Sequence, residues 1–240
     1  EALSAVLPLE TKDHSTVNKL GMNVSTVGLG GGGTRVFGHS SLSLNLDYQN
    51  LSPYYWVYPS RTDFKQPYGM FSGAAQYRYT PDERTVFKLY AGYDRTSFSN
   101  YADADRHLFG LGENNVYLNT TFRKRAASGW NWFFGAAYSF YDRRVGGAVT
   151  GGDAWSERQQ ELHLKVRSFR QFTPWLRLDA GVETFIRSYR DYYRFELLYD
   201  ENCMYPTICA GFLSSIFCLS EHFKTELSFR PEYVSLNRQI

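Results

Sequence analysis

The 240-residue chain has no run of about 18 apolar residues, the length a membrane-crossing helix needs, and its mean hydropathy is −0.43. A helical membrane protein is excluded. Cysteine is scarce. Cys203, Cys209 and Cys218 form neither a disulfide framework nor a zinc pattern. Histidine is scarce too, and none of His14, His39, His107, His163 and His222 pairs with another at metal-ligand spacing. Charge of one sign is missing. The 26 Lys and Arg are scattered and offset by 24 Asp and Glu, so nothing marks a nucleic-acid surface. Amphipathic stretches at helical spacing are also absent.

What is abundant is aromatic: 19 Tyr, 18 Phe and 5 Trp, 18% of the chain. Alternation with a period of two recurs with them. From Ser41 to Gln49, Leu42, Leu44, Leu46 and Tyr48 oppose Ser43, Asn45, Asp47 and Gln49. Phe87, Leu89, Ala91 and Tyr93 oppose Lys88, Tyr90, Gly92 and Asp94. Val116, Leu118, Thr120 and Phe122 oppose Tyr117, Asn119, Thr121 and Arg123. Leu162, Leu164 and Val166 oppose His163, Lys165 and Arg167, and Leu176, Leu178, Ala180, Val182 and Ile186 oppose Arg177, Asp179, Glu183 and Arg187. Several runs exceed the ~5–6 residues usual in a soluble sandwich and reach the ~9–11 of a tilted transmembrane strand. Aromatics near the run ends fit girdles at two membrane interfaces.

The connections alternate in length. Short ones are expected near Phe37–Ser40, Thr80–Arg84, Ala127–Gly129, Phe172–Trp175 and Ser220–Phe223. Longer ones are expected near Leu51–Gln66, Ser99–Glu113, Gly146–Ser156 and Leu197–Pro206. The resulting expectation is an all-β, antiparallel, up-and-down transmembrane β-barrel wall of about 10–11 strands. The strands lie near 17–36, 40–50, 67–79, 85–99, 113–126, 130–146, 157–171, 176–196, 206–219 and 224–237, with Ala2–Lys12 as an eleventh. Bacterial barrels close with an even strand number and both ends in the periplasm. By the loop assignment the last strand ends outside, so the expectation is part of a larger barrel. A complete small barrel, acting as a passive channel or a rim-located enzyme, is the alternative. The chain opens at Glu1 without a secretory signal, which an exported protein would have lost or carried elsewhere.

Ser4 to Asp13 (SAVLPLETKD) resembles the plug-to-barrel junction of TonB-dependent outer-membrane receptors of the Bacteroidota type. The glycine-rich strand after it, Leu46 to Tyr54 (LDYQNLSPY) and Glu113 to Asn119 (ENNVYLN) are similar to that family in style. The resemblance implies the N-terminal half of a barrel of about 22 strands. Residues 1–16 would be the junction and a possible first strand, and 17–240 the barrel segment. It further implies location in a Gram-negative outer membrane and active uptake of a scarce nutrient such as an iron chelate, vitamin or oligomeric nutrient. The implied partners are outer-membrane lipid, a plug domain and remaining strands outside this segment, the TonB complex acting through that plug, and a surface lipoprotein. Neither catalysis nor a cofactor is expected.

Individual motifs remain. Gly28-Leu29-Gly30-Gly31-Gly32-Gly33 fits GxGxxG, but Thr34-Arg35-Val36-Phe37 continues a strand where a dinucleotide site needs a helix. Bare strand against a close neighbour is the better reading. Asp103, Asp105 and His107 offer oxygen ligands for calcium, yet read better as solvated loop. Cys203 and Cys209, with five residues between them, are a possible disulfide in an oxidising envelope. Tyr54-Tyr55-Trp56-Val57-Tyr58 reads first as outer girdle at a strand end. Its second reading is a ligand-contacting loop of Tyr54, Tyr55, Trp56 and Tyr58. Arg123, Arg143, Arg167, Arg177, Asp179, Glu183 and Arg187 are lumen charges that pair across strands, hold a plug or line a path.

Overall fold

The computed structural model describes residues 17–58, 63–102, 107–147, 153–195, 197–220 and 223–235. The proposed junction and eleventh strand, and Asp103 and Asp105, lie outside them. The strands are β1 (Lys19–Ser25), β2 (Gly28–Phe37), β3 (Ser40–Asn50), β4 (Asp63–Asp82), β5 (Thr85–Ala102), β6 (His107–Arg125) and β7 (Trp130–Gly146). They continue as β8 (Ala154–Thr173), β9 (Leu176–Phe195), β10 (Leu198–Met204), β11 (Thr207–Cys218), β12 (Lys224–Phe229) and β13 (Glu232–Ser235). One short helix, α1 (Ser52–Val57), joins β3 to β4.

All thirteen strands form one antiparallel sheet in chain order. β10 and β11 lie end to end along β9, and β12 and β13 end to end along β11. The breaks fall at Pro206 and Pro231, which have no N–H for the ladder. Their carbonyls still accept from Arg187 (3.0 Å) and Gly211 (3.1 Å). The sheet therefore has eleven up-and-down runs. It is open: among the described residues no pairing joins β1 to β12 or β13.

Local chemistry sets the turns. Gly38 supplies a φ of +54° between β2 and β3, and Gly129 one of +83° before β7. Asp82 accepts from the Arg84 N–H (2.7 Å) and Thr173 Oγ1 from the Leu176 N–H (3.1 Å).

Three expectations need correction. The strand over 17–36 is two strands, with Ser25 opposite Gly28 across a turn at Thr26-Val27. The long connection at Ser99–Glu113 is largely strand, because β5 and β6 stay paired well past the apolar positions, whereas in Gly146–Ser156 only Gly146 and residues 154–156 are strand. Leu197–Pro206 is mostly β10, folded back on the end of β9.

Directly opposed residues share a face. One cross-sheet row reads Leu20, Gly33, Leu44, Ala75, Ala91, Leu118, Tyr138, Leu162, Ile186, Thr207 and Ser235, without a charge. Among the described residues no second layer lies over this apolar face. Val182 is 58% exposed, and Ala210 is the one buried apolar residue among those described. The buried side chains are instead polar, among them Ser41, Asp142, Asp179 and Glu183. Toward the short turns the apolar face ends in a row of Tyr79, Phe87, Phe122 and Phe134, and toward the other end it carries Tyr48, Phe71, Tyr93 and Phe140.

Candidate functional site on the charged face

The opposite face carries the seven charges singled out above, all at alternate positions of β6 to β9. The structure resolves their use for most of them, because they pair across strands. On β8 and β9, Lys165 stands opposite Glu183 and donates to Oε2 at 3.1 Å. Arg230, beside the Pro231 break, reaches over Ala210 to Glu183 Oε1 at 2.6 Å. His163 Nε2 is 3.7 Å from Glu183 Oε2, its ring stacked on Phe185 at 4.0 Å. Glu183 is thus 6% exposed with three basic groups around it. One step along, Arg167 holds Asp179, its Nε 2.8 Å from Oδ1, and Arg177 lies 3.5 Å from Oδ2. Arg187 bonds Glu161.

Further from the short turns, Arg143 donates to Glu113 at 2.6 Å, Tyr141 donates to the same oxygen at 3.0 Å, and Glu157 lies 3.9 Å from Arg143. The Trp155 indole N–H donates to Asp191. Most of these pairs join neighbouring strands, with Arg230 spanning β11 to Glu183, so the face is a charged lattice with its remaining surface open. Such a surface suits a wet lumen, where mixed charges orient polar solutes or a docked polar domain.

β2 adds bare backbone to that face. Space over Gly30 is taken by the Asn23 and Asp47 side chains, and space over Gly32 by Asn45. No helix follows β2, so the dinucleotide motif lacks its context.

The aromatic segment is corrected in form. It is a helical turn, with Tyr58 N–H donating to the Tyr54 carbonyl at 2.9 Å, and not a strand end. Pro53 at the helix start fixes the backbone there. Tyr54 packs on Tyr55 (5.6 Å) and Tyr58 (5.2 Å), and Tyr55 on Phe64 (4.7 Å). Trp56 stands outside this cluster, 80% exposed.

The disulfide is also corrected. Cys203 and Cys209 are free thiols opposite Arg190 and Thr184 of β9. Six positions along one strand line separate them by about 20 Å, well beyond disulfide reach. Cys218 ends β11, consistent with a small strand residue. Two features escaped the sequence reading: Arg230, and a row of charges on the apolar face at Asp142, Arg158 and Arg190. The second was legible as the point where Tyr138 and Phe140 give way to Asp142 and Arg144 at the same parity. Comparison with protein-family models, with curated proteins and with solved structures finds no match to this chain in any of the three.

Proposed function

We propose that the sheet is a wall of an outer-membrane β-barrel, the barrel portion of a TonB-dependent receptor importing a scarce nutrient such as an iron chelate, vitamin or oligomeric nutrient. One observation carries the membrane part of this reading. Across eleven runs the uncovered face carries a central apolar row without a charge, while the buried carboxylates Asp179 and Glu183 lie on the other face. Water makes an uncovered apolar face of that breadth costly, whereas lipid solvates it. Rings at both ends of the band support the same reading. The receptor part rests on the resemblance of residues 4–13, 46–54 and 113–119. It is supported by the open sheet edges, which need further strands in a bilayer, and by the aromatic turn α1 at the end with the longer connections. There Tyr54, Tyr55, Trp56 and Tyr58 present contact area to a ligand.

Site-directed labelling tests the membrane part. A polarity-sensitive fluorophore on Leu118→Cys is quenched by lipid-borne nitroxide, and one on Asn119→Cys by aqueous iodide. Equal iodide access to both sinks the reading. Transport is tested in source cells. Deleting the reading frame abolishes uptake of one nutrient class, and collapsing the inner-membrane proton gradient stops that uptake in the parent. Undiminished uptake of every class tried removes the receptor assignment.

A further inference from the structure

The apolar band stops at a single row. Arg95, Asn114, Asp142, Arg158 and Arg190 stand in line across β5 to β9 on the apolar face. They lie one step beyond Tyr93, Val116, Phe140, Gln160 and Ser188. Asp142 is buried at the centre and holds two arginines. Arg158 Nε and Nη2 both lie 3.1 Å from Oδ1, and Arg144 Nε from the next row lies 3.1 Å from Oδ2. Both guanidiniums keep open donors, since their side chains are 44% and 70% exposed. Arg190 is exposed beside them and bonds Tyr205.

With Ser156, Tyr192 and Glu201 these arginines line a cleft of about 440 Å³. Asp191 borders it as well, but its side chain belongs to the opposite face, where it takes the Trp155 N–H. On the cleft's own face, Arg144, Arg158 and Arg190 outnumber Asp142 and Glu201. Among the described residues the short-turn end has no counterpart. Its apolar-face cations, Arg35, Lys124 and Arg170, stand on separate, non-adjacent strands, and Arg170 lies against the Trp130 and Phe172 rings at 5.8 and 5.0 Å.

We propose that the cleft binds the phosphorylated headgroup of a lipid whose acyl chains lie on the adjoining apolar band, an inference that rests on the membrane reading above. Guanidinium forks match phosphate oxygens in pairs. Asp142 orients two of them without neutralising the set, and so is a positioning residue. The row of Val116 and Phe140 directly alongside gives the acyl chains their contact, which a free anion would not use. The concentration of cations at one end selects one leaflet.

The test assembles the full-length protein in phosphatidylcholine nanodiscs doped with phosphatidic acid, extracts it mildly, and counts retained lipids by native mass spectrometry. The expected result is enrichment of phosphatidic acid, falling about fivefold for each arginine removed in Arg144→Gln, Arg158→Gln and Arg190→Gln. Arg170→Gln retains the enrichment, and raised salt weakens it. Absence of enrichment in a chain that has inserted overturns the lipid site and leaves the membrane reading standing. Enrichment that survives the triple substitution also overturns it. Displacement of the lipid by millimolar inorganic phosphate makes the cleft a free-anion site and overturns the lipid assignment. Failure of the full-length wild-type protein, its sheet edges covered by further strands, to insert at all overturns the membrane reading, and this inference with it.

Discussion

At the scale of single residues, the sheet's polar face depends on two buried carboxylates. Glu183 neutralises Lys165 and Arg230, whose side chains are only partly exposed. Glu183→Gln keeps an acceptor but leaves two cations without their counter-charge. Because both cations reach solvent, the expected cost is about 1–2 kcal/mol, below that of a fully buried pair. Urea unfolding of the folded protein in vesicles, followed by tryptophan fluorescence, measures it. Arg230→Met should cost about 1 kcal/mol and loosen mainly β12 and β13, since Arg230 spans β11 to tie them to β9. Parity alone made Glu183, Asp179 and Arg167 legible as one face. Arg230 was not legible. The Arg230-Pro231 break interrupts alternation, and its bond bridges 47 residues of sequence.

At the scale of elements, alternation found the strands where one face is apolar and lost them where both faces are polar. β7 matched its expected span of 130–146, because apolar side chains repeat through much of it. β8 was cut short at its start, since the expected span opened at 157 and left out Ala154, Trp155 and Ser156, which pair fully with β7. The Thr26-Val27 turn escaped for another reason: both residues are strand formers, and the glycines after them carry no pattern. β2 gives a sharp comparison. Gly30→Val collides with Asn23 and Asp47 and should cost about 1–3 kcal/mol, whereas Gly21→Val on β1, with nothing within 4 Å of its added Cβ, should stay within about 0.5 kcal/mol. Paired melting curves of the two variants decide it, and equal losses would deny the crowding over Gly30. On β6, Leu118→Arg should cost about 2–4 kcal/mol in a bilayer and Asn119→Arg close to nothing. A similar cost for both would mean that the two faces meet the same solvent.

At the scale of the whole molecule, the open sheet is the feature with the widest consequence. The sequence showed an up-and-down wall and suggested that it was incomplete. Edge pairing was beyond it, because backbone hydrogen bonds leave no mark on side-chain pattern. In the structure every residue of β1 and β12 is exposed, while β5 to β8 have a paired strand on each side. In hydrocarbon an unpaired backbone group costs several kcal/mol, so under the membrane reading the two edges are where further strands would pair. Hydrogen exchange in detergent reads this directly. With the chain by itself, amides of β1 and β12 that point away from the sheet should exchange within minutes, while those at the centre of β5 to β8 persist for hours. In the full-length protein, under the receptor reading, the same edge amides should become as slow as the centre, because further strands cover them. Slow edges in the chain by itself, at a dilution where it sediments as a monomer, would mean that β1 and β12 close on each other. The small closed barrel would then replace the half-wall, and the channel and rim-enzyme readings would become the ones to pursue.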